Sequence, residues 1–137
     1  MHTLLLTLLA CDEPPESAPP PQASDCVDLS GDWTVTETID RSGCDASSQT
    51  VTVSINWKQT GCSGALSDQG AAITLPGRVE GQRIIAGGTY RDLGKIRKDL
   101  DLKVDGDIIS GTATWTWRPG KALSCSGTST VAGKRKL

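Results

Sequence analysis

Two stretches of this chain alternate with a period of two, and that alternation constrains its fold more than any other feature. In GDWTVTETI, Trp33, Val35, Glu37 and Ile39 face one way while Thr34, Thr36 and Thr38 face the other. In QTVTVSINWKQ the apolar set is Val51, Val53, Ile55 and Trp57, opposed by Thr50, Thr52, Ser54 and Asn56. Successive side chains of a strand leave opposite faces, so the pattern predicts antiparallel strands with one dry face. Further strands are predicted near 63–67, 71–79, 82–91, 96–104, 107–117 and 121–132. Val79-Glu80-Gly81-Gln82, Val104-Asp105-Gly106-Asp107 and Arg118-Pro119-Gly120 supply turn chemistry between them. DLGKIRKDLDLKV comes closest to a helical stripe, but Leu100, Leu102 and Val104 alternate with Asp99, Asp101 and Lys103, which again describes a strand.

Residues 25–137 make one domain with room for a real core. Three of the 16 acids, Asp12, Glu13 and Glu16, lie outside it, so those residues carry 14 basic and 13 acidic groups. A near-neutral domain has no long-range field with which to gather nucleic acid or an anionic membrane surface. The clusters Lys95, Arg97, Lys98 and Lys134, Arg135, Lys136 are expected to be solvated faces. The single histidine is His2, inside a segment expected to be removed, which leaves no imidazole for a triad, a zinc site or a proton shuttle. No catalytic residue, metal or cofactor is expected. Asp99 and Asp101 share a face, but it is the outward one, where surface charge is the plainer role.

Residues 3–10, TLLLTLLA, are too short to cross a bilayer as a helix and have the length of a secretory h-region. Leu8, Leu9, Ala10 and Cys11 resemble the bacterial lipobox, in which apolar and small residues precede a lipid-accepting cysteine. The resemblance implies cleavage before Cys11, a diacylglyceryl thioether on its sulfur, and a location in the bacterial cell envelope, anchored to the inner or outer membrane with the domain in the periplasm or at the cell surface. Asp12 resembles the signal that retains some such lipoproteins at the inner membrane. The division expected is a leader over 1–10, a lipidated cysteine with a proline-rich tether over 11–24, and the domain over 25–137. The competing reading takes LTLLA as a buried strand. The prolines of CDEPPESAPPPQASD oppose it, because they cannot donate to a sheet.

Eight short strands joined mostly by hairpins predict an all-β up-and-down meander, closed into a barrel so that no edge is left bare; a β-sandwich is the alternative. Gly31-Asp32-Trp33, at the start of the first strand, resembles the Gly-x-Trp of lipocalins and related calycin-type barrels. That resemblance implies that Trp33 plugs the closed end against an arginine of the last strand, for which Arg135 is in place.

In a closed meander, Cys26 before the first strand and Cys62 after the second share the lower end. Cys44 after the first and Cys125 early in the eighth share the upper end. The pairing expected is therefore Cys26–Cys62 and Cys44–Cys125, one of three connectivities. The same reasoning places Trp33 and Trp57 low, closing the barrel, and Tyr90, Trp115 and Trp117 high, with Glu37 and Lys98 facing inward. Such a mouth suits a small apolar or amphipathic ligand, as in lipocalins. The plainer expectation is that the aromatics simply fill a small interior. The alternative function is a calycin-type protease inhibitor or an interaction module that binds an envelope protein through its loops. Either way the membrane is a partner through the lipid.

Overall fold

The computed structural model describes residues 26–121 and 123–136; the LLAC stretch, Cys11 and the proline-rich segment lie outside the described residues. Eight strands follow one another: β1 (Gly31–Asp40), β2 (Gln49–Thr60), β3 (Ser63–Asp68), β4 (Ile73–Glu80), β5 (Arg83–Arg91), β6 (Lys95–Asp105), β7 (Ile108–Arg118) and β8 (Cys125–Arg135). Each pairs antiparallel with the next, and β8 returns to pair with β1, closing an up-and-down barrel rather than a sandwich. Closure gives every strand two hydrogen-bonding neighbours and removes the exposed edges that invite aggregation.

The strand limits differ most from expectation at β4 and β8, and elsewhere by a single residue. β4 begins at Ile73, not at 71, because the Asp68 carboxylate accepts the N–H groups of Gly70 and Ala71 and Ala72 turns the chain at φ 55. β8 runs Cys125–Arg135, starting later than the expected 121 and extending past 132. Gly133-Lys134-Arg135 carries no apolar alternation, yet its backbone continues the ladder with β1 as far as Trp33 opposite Arg135. That extension brings Arg135 to the barrel's lower end.

The two ends are built differently. At the lower end, where β1 starts and β2 stops, the hairpins β2–β3, β4–β5 and β6–β7 turn in two residues, each opened by a glycine: Gly61, Gly81 and Gly106 at φ 66, 59 and 59. Two-residue hairpins require a positive φ, which costs glycine nothing. The upper end carries the longer connections, 41–48, 69–72, 92–94 and 119–124. Trp33, Trp57, Ile84, Leu102 and Ile109, the largest fully buried side chains, all lie toward the lower end.

Residues 26–30 cross beneath that end. Leu29 is buried against the core, and the Gln59 side chain binds the crossing segment: it accepts from Leu29 N and Trp57 Nε1 and donates to Val27 O and Gly61 O. The disulfides are Cys26–Cys62 at the lower end and Cys44–Cys125 at the upper, with Cα atoms 5.3 and 5.2 Å apart, the pairing that closed-barrel reasoning predicts.

Candidate functional site at the upper end

Arg135 lies over the Trp33 ring, 4.6 Å from its centroid, donates to Ser30 O at 3.0 Å and meets the Asp107 carboxylate at 3.3 Å. Arg135 is thus partly covered at the barrel floor, whereas Lys134 and Lys136 are exposed. With Trp57 bonded to Gln59 and Leu29 pressed from below, the lower end is packed with side chains.

The upper end holds charge inside. Lys98 on β6 donates to both carboxylate oxygens of Glu37 on β1, at 2.8 and 2.7 Å. β1 and β6 are not neighbours in the barrel, so this pair spans the interior. Its side chains are only 9% (Glu37) and 16% (Lys98) exposed. Lys98 therefore leaves the cluster expected on the solvated face: period-two geometry sends Lys95 and Arg97 outward and Lys98, with Ile96 and Leu100, inward.

The pair lines a cavity of about 60 Å³ whose apolar walls include Val35, Ile55, Leu66, Leu75, Leu100 and Val131. Tyr90 and Asp68 also line it. Burial pushes the Tyr90 hydroxyl up to about 12, with the negative charges of Glu37, Asp92 and Asp68 adding to it.

Trp115 and Trp117 occupy the inward face of β7 and are half-buried, but they do not line this cavity. Trp115 leans over its cross-strand partner Gly127, where a Cβ would stand 2.4 Å from the ring. The Trp117 indole nitrogen would be 2.8 Å from a Cβ at Gly94. Glycine backbone thus draws both indoles aside, and the structure gathers Glu37, Lys98 and Tyr90 without them. Asp99 and Asp101 point outward and pair with Arg97 and Arg83. Hydrogen bonding from Arg97 holds the Asp99 carboxyl below the usual carboxylate range.

Outside the upper end lies a group that sequence reading does not isolate. Register sets Arg91 of β5 opposite Lys95 of β6, and Lys95 opposite Arg118 of β7. Three cations therefore stand side by side, with Lys121 in the following loop. None of the four forms an ion pair among the described residues. Leu93, at the tip of the β5–β6 loop, is 90% exposed, and Leu123, in the β7–β8 loop, is 70% exposed. The only hint in the sequence is a leucine amid turn residues in RDLGK.

No family model, curated protein or solved structure matches this chain. The geometry itself defines a closed eight-stranded antiparallel up-and-down barrel, an architecture compatible with the lipocalin type.

Proposed function

We propose that the chain is a non-catalytic lipoprotein of the bacterial cell envelope, held by lipid on Cys11, whose lipocalin-like barrel is a recognition module working through the outside of its upper end. The observation that carries this reading is the contrast between interior and loops. A cavity of about 60 Å³ is far below the roughly 300–1,000 Å³ of sites that enclose drug-sized ligands. The Glu37–Lys98 pair takes up part of its upper lining. Exposed leucines, and cations without an ion pair among the described residues, lie instead on the rim. Leu8-Leu9-Ala10-Cys11 supports the anchor, and Gly31-Asp32-Trp33 beneath Arg135 supports the lipocalin likeness.

A photo-crosslinking residue at position 93 in intact envelopes should give adducts that the same residue at position 103, outward on the lower part of β6, does not. Equal labelling at both positions would overturn the reading.

One observation favours a second reading, a small amphipathic ligand in the mouth: apolar walls and a charged pair line one cavity, the combination that an aliphatic tail with a polar head would match. Native mass spectrometry of the chain isolated from its source should then show a bound small molecule that Lys98→Met loses.

A further inference from the structure

We infer that the outer rim formed by the β5–β6 and β7–β8 loops docks on an anionic phospholipid surface, its leucines entering below the headgroups and its cations meeting the phosphates. This rests on the reading that the upper end acts from outside, and names what it meets.

Two features of Leu93 cannot be explained by the barrel. It is 90% exposed, so the core gains nothing from it. It also adopts φ 52, where a branched side chain is strained and glycine or asparagine is favoured. Neither packing nor backbone preference calls for leucine at this place. The cation row has the same character, since like charges directly opposite on neighbouring strands repel. Arg91, Lys95 and Arg118 nevertheless occupy consecutive strands in register. A surface outside the protein that bears negative charge resolves that repulsion.

The two loops are neighbours: a Cβ at Gly94 would stand 2.7 Å from Arg118 O and 2.8 Å from Pro119 Cα. In sequence, a cation lies within two residues of Leu93 and of Leu123. Arg91 and Lys95 lie on either side of Leu93, and Lys121 precedes Leu123. Only Asp92 brings an acid into these two loops among the described residues.

The alternative occupant is an acidic protein. Protein hot spots are dominated by Trp, Tyr and Arg, with leucine under-represented. Here the aromatics Tyr90 and Trp117 lie on the inward faces of their strands, and the uncharged side chains that project beside the cations are the aliphatic Leu93 and Leu123. Aliphatic tips behind a basic collar are the composition of segments that lie in a membrane interface. Each contact is weak alone. Added to a covalent anchor, even a weak second contact is made at high effective concentration and fixes the barrel's orientation.

The test uses the full chain reconstituted in vesicles of phosphatidylcholine alone, or of equal parts phosphatidylcholine and phosphatidylglycerol, with bromine in the acyl chains as quencher. A Leu93→Trp reporter should be quenched more strongly in the anionic vesicles, and raised salt should weaken that excess. Lys95→Gln and Arg118→Gln should each lower the docked-to-undocked ratio by about fivefold. Leu93→Asn should abolish the contact without lowering the melting temperature, because it relieves the left-handed strain. That separates a docking role from a structural one. Equal quenching of the reporter in both vesicle types would overturn the inference. If adducts at position 93 in intact envelopes were then with protein, the upper-end reading would stand with an acidic protein as its partner. If position 93 labelled no more than position 103, both would fall.

Discussion

At the scale of single residues, Gln59 and Tyr90 show how much one side chain decides at each end. Gln59 satisfies four polar groups at the barrel floor through one amide. Its replacement strands the covered Leu29 and Trp57 donors, and an unpaired buried polar group costs about 1–3 kcal/mol. Gln59→Ala should destabilise the fold by about 2–3 kcal/mol in urea unfolding, a loss out of proportion to the area removed. Tyr90 is the only tyrosine, so its titration can be followed by absorbance without interference. Native protein should show the phenolate near pH 12, and unfolded protein near pH 10. The unfolded chain loses its proton first, so the stability linked to this group is intact below pH 10 and lost as pH rises toward 12. A native titration that coincides with the unfolded one would show that Tyr90 is not desolvated. The Glu37–Lys98 pair sets a different balance. Glu37→Gln leaves a covered ammonium without its counter-ion and should cost about 3 kcal/mol, whereas Glu37→Leu combined with Lys98→Met should be near neutral. Equal losses in the single and double variants, measured by denaturant unfolding, would contradict that account.

At the scale of elements, the first two strands are legible because their alternation is local: each side chain's face is set by its own backbone. β8 is only half legible. Its first part alternates, but Gly133-Lys134-Arg135 pairs by backbone alone and carries no apolar signal. Trp115 and Trp117 are legible as inward residues but not as residues drawn away from the cavity, since that depends on Gly127 and Gly94 in other strands or loops. The disulfides follow from strand direction once closure is assumed. They bridge separations of 36 and 81 residues. Loop-closure entropy assigns them about 4 and 4.5 kcal/mol. Replacing Cys44 and Cys125 together by alanine should therefore cost on the order of 4 kcal/mol, and thermal unfolding with and without reductant checks it.

For the whole molecule, the two ends divide the work. The lower end has tight turns, fully buried tryptophans and the crossing segment, while the upper end has longer loops, half-buried side chains and a row of exposed cations. Opening should therefore begin above. Amide exchange should be slowest for the lower rows of β1, β2, β6 and β7 and faster for the rows near Ile39, Val51 and Ile96, because local opening is cheapest where few apolar contacts are lost. Uniform protection along each strand would show that the barrel opens as one unit.

The sequence by itself determined that there are eight strands, which faces of them turn inward and outward, and, once closure is assumed, the pairing of the four domain cysteines. Each of these follows from a period of two and from strands that reverse at every turn. Only the tertiary structure decided that β8 reaches Arg135, that Glu37 and Lys98 meet across the interior, and that Arg91, Lys95 and Arg118 stand in one row. Those placements depend on register between strands, and register is set by the turns and the packed core rather than by any residue's own preference.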